Sequence, residues 1–471
     1  MDLRKAIIAR LSRGDSTAAR QAFYELPPSV QDESITRYLM LKVALADNDT
    51  QLAAECLERV SKHASKDPSH LYACVLEAQQ SNMRSIAVAA LRALTDQLPA
   101  GTHLPALLRC TARMMIAELG SSDCPAPHHV EELVLLFERA AKNIPAIRQG
   151  SDSQWRSEVQ WWSKNCYNLA LRLCGNIQLE HLVRLLAVCT RFMDSYPTVG
   201  DRLDADDLRQ RRLLCHFLSA TALTVLGREN RDNNPDRTRE CYCLARTKIS
   251  SFTKHITDWQ PADLQQAADL NARHFELLKF DLEALLYLQL WQSIDSAIST
   301  FLSFTGTDRW ESLIDLVILV HDTTKPQDSN RRIPELLQKC INETWKKDKD
   351  VIKMSRWLRI TFSINLEQGD ADFALKIVEQ ATAVAKKGSD GVTERYPRDE
   401  LAWLATMAFN RGVDLFARRE KGGAEPWFDA ALGLAYYAED NGLLHANLTY
   451  KRKAAEERLK MTSDEDVKGN G

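Results

Sequence analysis

Apolar residues recur with a helical period along almost the whole chain. In one early segment Leu71, Cys74, Val75 and Ala78 fall three or four positions apart, as they would on one face of an α-helix. The alternation of apolar and polar positions that indicates a β-strand is not found in the sequence. The pattern therefore predicts an all-α protein.

Three early segments repeat one arrangement of small and large residues: SRGDSTAARQAFYEL, ADNDTQLAAECLERV and QSNMRSIAVAALRAL. In each, a Gly or Asn stands five positions before an alanine, and a large apolar residue stands four positions after it. The alanines, Ala19, Ala53 and Ala87, are spaced 34 residues apart. That spacing is the period of the tetratricopeptide repeat (TPR), a pair of antiparallel helices.

The alanine has a mechanical role in such a repeat, because the two helices cross so closely that one contact must be small. The same offsets recur around Ala374 and Ala424. We therefore predict a TPR-like α-solenoid, a right-handed superhelix of about nine antiparallel helix pairs. Residues 1–100 are expected to form regular TPR units and 101–460 a continued degenerate array ending in a cap helix over 441–460. The polar residues 461–471 are expected to be disordered.

Two tryptophan-containing stretches are near copies of each other. The first is QWWSKNCYNLALRLC (160–174) and the second is WLATMAFNRGV (403–413). Asn168 follows Trp161 by seven residues, and Asn410 follows Trp403 by the same distance, so each pair shares one helix face. We interpret these four residues as repeat positions that pack helix pairs together.

Composition excludes several classes of function. The 471 residues are 45% hydrophobic and 27% charged, with a net charge of −3, so no global basic field favours nucleic acid. The sequence contains neither a run of apolar residues long enough to span a membrane nor the apolar core of a signal peptide, which predicts an intracellular protein without membrane partners. The eleven cysteines include no CxxC pair, and we interpret them as reduced thiols that pack as small apolar side chains. We expect no metal and no cofactor.

The sequence shows no arrangement of residues that indicates catalysis. The sequence contains no phosphate-binding loop, no nucleophile elbow, no zinc-protease motif and no kinase motif, so we expect a protein without enzymatic activity. A solenoid instead offers the surface made by the first helix of each pair, which commonly holds segments of other proteins. Tyr38, Lys42, Tyr72 and Gln79 occupy first-helix positions that could line such a groove, although an ordinary surface role explains each of them equally well.

The two tryptophan blocks also carry a family resemblance. QWWSKNCYNLALRLC with the following LEHLVRLLAVCTRFMDSYP, and RDELAWLATMAFNRGVDLFARREKGGAEPWFDAALGLAYYAEDNG, resemble the fungal meiosis and sporulation family of TPR proteins, the Zip-four homologues. The resemblance covers about the last two-thirds of the chain. It implies a scaffold on meiotic chromosomes in the nucleus, acting with the ZMM group in crossover formation and synaptonemal complex assembly. The chain is shorter than typical members, so partner sites in their N-terminal repeats are not carried over.

Two alternatives remain open at this point. The chain could be a general TPR adaptor in a cytosolic assembly or in protein quality control. It could also be an enzyme of a type that its sequence does not reveal, which would require a deep polar pocket with converging His, Glu or Cys side chains.

Overall fold

The chain is an all-α solenoid. A computed structural model describes residues 3–64, 67–98, 102–120, 126–148, 151–196, 202–259, 263–305, 307, 309–324, 332–438 and 440–468, and within these ranges it contains helices and turns but no strand. The chain divides into two compact units, Met1–Asn230 (unit 1) and Arg231–Gly471 (unit 2). The change from regular units over 1–100 to a degenerate array over 101–460 stays a prediction.

Unit 1 consists of successive helix pairs, α1/α2, α4/α5, α6/α7, α8/α9 and α11/α12, with α13 packed on α12. Its helices are α1 (Leu3–Leu11), α2 (Ser16–Tyr24), α3 (Pro28–Gln31), α4 (Ser34–Ala46), α5 (Thr50–His63), α6 (Ser69–Gln80), α7 (Arg84–Gln97), α8 (Leu104–Leu119), α9 (Pro127–Lys142), α10 (Ile144–Ile147), α11 (Asp152–Leu173), α12 (Leu179–Asp194) and α13 (Arg202–Asn230).

Unit 2 repeats the scheme with the pairs α15/α16, α17/α18, α19/α20 and α21/α22. Its helices are α14 (Pro235–Thr257), α15 (Leu264–Tyr287), α16 (Trp291–Ser303), α17 (Glu311–Thr324), α18 (Ile333–Lys347), α19 (Val351–Gln368), α20 (Ala371–Ser389), α21 (Arg398–Ala417), α22 (Lys421–Ala435) and α23 (Leu443–Lys468). Helix α23 packs on α21 and α22 and continues past residue 460, where the predicted cap helix ends. Residues 469–471 of the predicted tail lie outside the described residues, and the superhelical hand stays a prediction.

The tight turns inside the pairs share one backbone geometry. A residue with positive φ ends the first helix, and the next amide N–H donates to the carbonyl five residues back, which satisfies a carbonyl at the helix end. This bond is 2.9 Å from Asp49 to Ala44 and 2.9 Å from Asp370 to Asn365. The positive-φ residues are Gly14, Asn48, Asn82, Gln289, Gly369 and Arg419. Four of them are the glycines and asparagines of the sequence repeat, residue types that tolerate this conformation.

Small residues lie where the paired helices cross. Five alanines of the repeat are fully buried: Ala19, Ala53, Ala87, Ala374 and Ala424. Glycine takes the same role in the α21/α22 pair, since a Cβ atom on Gly412 would lie 3.0 Å from the Phe428 ring. Contacts this close leave no room for a larger side chain.

The predicted packing role of the two asparagines is wrong. Asn168 and Asn410 are exposed, and Trp161 and Trp403 are only half-buried. The shared face of each Trp–Asn pair is real, but it borders solvent. The fully buried tryptophan of the first block is Trp162, because the inward stripe of α11 passes through positions 162, 166, 169, 170 and 173.

A charged cluster joins two second helices of unit 1. The Arg184 guanidinium on α12 donates hydrogen bonds of 2.8 and 2.9 Å to the two oxygens of Glu138 and one of 2.7 Å to Glu131, both on α9. His181 Nε2 lies 2.7 Å from the same Glu131 carboxylate. Hydrogen bonds from Arg184 lower the pKa of Glu138 and of Glu131.

This cluster predicts a pH-dependent contribution to stability. Because the pKa of Glu138 is lower in the folded protein than in the unfolded chain, its contribution is present above the unfolded pKa and is lost as the pH falls through the folded pKa. Glu138→Gln should lower the free energy of unfolding by about 1 kcal/mol at neutral pH, with the difference from wild type shrinking below about pH 4. Urea titrations at several pH values measure this difference.

Glu58→Gln is the matched control, since the Glu58–Lys62 pair on α5 is exposed. Because solvent screens this exposed pair, the substitution should change the free energy of unfolding much less than Glu138→Gln does at neutral pH. An equal loss in the two variants would show that Arg184 does not hold α12 to α9.

Candidate functional site

The first helices of successive pairs are connected by side-chain contacts along one face. In unit 1 these helices are α4, α6, α8 and α11, and in unit 2 they are α15, α17, α19 and α21. We call this surface the first-helix face of each unit. A face of this kind is the usual binding surface of helical repeat proteins.

Between α4 and α6, three polar side chains meet on the first-helix face. The Tyr38 hydroxyl donates to Glu77 Oε1 at 3.0 Å, and the Lys42 ammonium donates to the same oxygen at 2.6 Å. Burial and, after it, the hydrogen bond to Glu77 raise the pKa of Tyr38. The structure thus brings together two of the predicted groove residues, but the charge of Lys42 is compensated by Glu77, a residue that no sequence motif marks.

An exposed stripe runs along α6. Tyr72 is 38% exposed and Leu76 is 59% exposed, and Gln79 completes the stripe at the i, i+4, i+7 spacing of one helix face. The Tyr72 hydroxyl lies 2.9 Å from Thr102 Oγ1, just before α8, and Gln79 Nε2 lies 3.2 Å from Met114 Sδ on α8. These residues border the next first helix and remain open to solvent, and Leu76 is an exposed apolar residue that the repeat pattern does not indicate.

Trp161 forms the next part of the face. The guanidinium carbon of Arg109, on the preceding first helix α8, lies 4.9 Å from the Trp161 ring centre. The same guanidinium donates to Glu158 Oε1 at 2.6 Å. Trp161 meets the buried Trp162 edge to face, with ring centres 4.7 Å apart. The indole is therefore held between a cation and the core, a geometry that favours cation–π attraction.

The second tryptophan block has the same arrangement in unit 2. The guanidinium carbon of Arg359, on α19, lies 4.5 Å from the Trp403 ring centre, and an Arg359 nitrogen lies 3.5 Å from Glu400. In both blocks the glutamate precedes the tryptophan by three residues, so the shared pattern is Glu-x-x-Trp with an arginine from the preceding first helix. The glutamate was visible in the sequence, whereas the arginine partner is set by how the pairs stack.

Unit 1 also has a surface cavity of about 450 Å³, bordered by α7, α8 and α9. Most of its charged side chains are paired with a side chain of opposite charge. Arg92 pairs with Glu132, and Arg139 Nη1 lies 2.6 Å from Asp96 Oδ1. Ion pairs that join adjacent second helices account for these charges without a ligand.

Groups that could hold a metal are not assembled in the described part of the chain. No cluster of three His, Cys, Asp or Glu side chains there could hold a metal ion. Ten cysteines in these ranges are free thiols. Burial raises the pKa of Cys166, whose thiol donates to the Leu185 carbonyl at 3.0 Å, and raises the pKa of Cys340 to about 12, which disfavours the reactive thiolate. None of the described helices is both long and apolar enough to cross a bilayer.

No protein-family model and no curated protein sequence matches this chain. Among solved structures it is similar to a circular tandem repeat protein with a novel repeat topology (16% identity, covering 100% of this chain and 91% of that one, TM-score 0.15). It is also similar to Naa15/Naa10 bound to HypK-THB (12% identity, 96% and 70%, TM-score 0.20). A third is a monomeric IFIT1 mutant with m7Gppp-AAAA (10% identity, 85% and 90%, TM-score 0.14). At these TM-scores the likenesses carry no argument about this chain.

Proposed function

We propose that this protein is a non-enzymatic scaffold that holds a segment of another protein against its first-helix face. The observation that carries the proposal is the combination of exposed Tyr72 and Leu76 on α6 with half-buried Trp161 on α11, two first helices of one unit with α8 between them. Aromatic and aliphatic side chains that stay accessible on a stacked-helix surface are the usual anchors for partner peptides.

The proposed setting is the meiotic nucleus. The likeness of residues 160–174 and 398–442 to the Zip-four homologues supports a role in crossover formation and synaptonemal complex assembly, with proteins of the ZMM group as partners. Trp161 and Trp403 of these blocks also belong to the repeated Glu-x-x-Trp arrangement and are half-buried, so the resemblance falls on surface as well as on core positions.

Affinity purification tests both parts of the proposal. The tagged full-length protein and its Leu76→Asp variant are purified from cells in meiosis and from non-dividing cells, and bound proteins are identified by mass spectrometry. Chromosome-axis and synaptonemal complex proteins should be recovered from meiotic cells, and the Leu76→Asp variant should lose them because a charge on the exposed stripe opposes apolar contact.

Two results would contradict the proposal in different ways. Recovery of chaperones or another cytosolic assembly from both cell types would exclude the meiotic role and favour a general adaptor. Equal recovery of every partner by the wild type and the Leu76→Asp variant, with both proteins folded, would show that partners do not use the first-helix face.

A further inference from the structure

Each unit carries one tryptophan held by an arginine whose charge is compensated. Arg109 is paired with Glu158 beside Trp161. In unit 2, Arg359 and Glu400 stand in the same relation to Trp403, as described above. These two arginines therefore hold the rings in place, and because glutamates compensate their charges, they attract a partner's carboxylate only weakly.

A second arginine follows in unit 1. Arg113 lies one turn after Arg109 on α8, is exposed, and has its guanidinium carbon 5.6 Å from the Trp161 ring centre. It makes no ion pair with any of the described side chains. Leu76 lies one turn before Gln79 on α6. Gln79 contacts Met114, the residue that follows Arg113 on α8. We call Leu76, Arg113 and Trp161 the unit 1 site.

Unit 2 carries the same residue types on α19 and α21 in a different order, with the exposed arginine before the tryptophan-bound one and the aliphatic residue on α19 itself. Arg356 lies one turn before Arg359, is exposed, and makes no ion pair within the described residues. Ile352, one turn further back on the same helix face, is 48% exposed. We call Ile352, Arg356 and Trp403 the unit 2 site. Each site therefore combines an exposed aliphatic side chain, an accessible indole and one uncompensated positive charge.

The side chains of these two sites favour one class of ligand. An arginine without an internal ion pair offers paired N–H donors to a carboxylate, and a half-buried indole and an exposed aliphatic side chain offer apolar contacts. A segment with an aspartate or glutamate close to an apolar residue satisfies both parts. Nucleic acid is disfavoured, because a single free arginine per site is not the basic stripe that a phosphate backbone requires.

We propose that each unit has one site for a short segment of a partner protein that carries an acidic side chain next to an apolar one. The chain therefore binds two such segments, one at the unit 1 site and one at the unit 2 site. In each, the carboxylate pairs with the uncompensated arginine while the apolar side chain contacts the tryptophan or the aliphatic side chain of that site. This inference rests on the proposed scaffold function and specifies the partner and the number of segments bound.

Peptide selection followed by calorimetry tests it. A phage-displayed library of short random peptides is selected on the full-length chain, and the enriched peptides are synthesised and titrated. We expect enrichment of Asp or Glu within a few positions of Leu, Ile or Phe, and binding of two peptides per chain. Arg113→Glu and Arg356→Glu should each remove one of the two sites, weakening its affinity by roughly tenfold or more, and the double variant should bind at neither site.

Arg13→Glu makes the same charge reversal at an exposed arginine between α1 and α2 and should retain both sites. All three single-variant positions are exposed, so the proteins should fold like the wild type, which thermal unfolding checks. The inference is overturned if no peptides or only basic peptides are enriched, if one peptide binds per chain, or if both site variants bind like the wild type. Binding of a single-stranded oligonucleotide that the same variants abolish would also overturn it.

Failure here is distinguishable from failure of the scaffold function. If cellular partners depend on Leu76 but bind a single site that Arg113→Glu and Arg356→Glu leave intact, the scaffold stands and the two-site inference is wrong. If cellular partners are insensitive to Leu76→Asp, the use of the first-helix face itself is wrong.

Discussion

Trp162→Ala should lower the free energy of unfolding by about 3–5 kcal/mol, the largest effect that we expect from a single substitution in this chain. The Trp162 side chain is 0% exposed in unit 1. Its ring stacks on Phe192 of α12, with centres 5.6 Å apart and planes 6° apart, and meets Phe137 of α9 edge to face at 5.6 Å. Removing the indole leaves a cavity among three helices that cannot close around it.

The neighbouring tryptophan provides the matched control. Trp161 is half-buried and borders solvent, so Trp161→Ala should cost about 1 kcal/mol, mostly from the lost contact with Arg109 and Arg113. Trp162→Phe should be milder than Trp162→Ala, because the buried indole N–H has no hydrogen-bond partner among the described residues and its loss leaves nothing unpaired. Chemical denaturation of the three variants measures their free energies of unfolding and shows whether the losses follow this order. Equal losses at positions 161 and 162 would contradict the packing of α11.

Ala53→Phe should have the second-largest effect, lowering the free energy of unfolding by about 3 kcal/mol. Ala53 is fully buried on α5, which packs against both α4 and α7. A phenyl ring at this crossing forces the helices apart, and the loss extends to the next pair because neighbouring pairs share this interface. Thermal unfolding followed by circular dichroism detects the change.

The adjacent residue is again the control. Ala54 lies on the same helix but is exposed. Ala54→Phe should change the free energy of unfolding by about 0.5 kcal/mol at most, since the ring can extend into solvent. If position 54 proved as sensitive as position 53, the predicted register of α5 would be wrong.

The regular part of the fold could be predicted because its physical cause is local in sequence. A small residue is needed once per helix crossing, and a residue that tolerates positive φ is needed five positions earlier, so Ala53 and Asn48 appear at fixed offsets. Gln289 and Arg419 adopt the same backbone conformation without a residue type that indicates it. Tertiary packing fixes those two turns despite the cost of positive φ at non-glycine residues.

The candidate site was only partly predictable. A seven-residue spacing correctly puts Trp161 and Asn168 on one helix face, but spacing alone does not show whether that face is inward or outward. Because Trp161 and Trp162 are adjacent, the sequence alone did not show which of them faces the core, and the structure buries Trp162. Arg109 and Arg113 lie about fifty positions from Trp161 in sequence, and they reach it only because α8 and α11 are successive first helices.

Hydrogen–deuterium exchange tests the central claim, that binding uses the first-helix faces, most directly. Exchange is compared for the full-length protein alone and saturated with a selected acidic–apolar peptide. We predict added protection in α6, α8 and α11 of unit 1 and in α19 and α21 of unit 2, with the second helices α5, α7, α9 and α12 unchanged. Protection confined to those second helices, or absent from every first helix, would contradict the account.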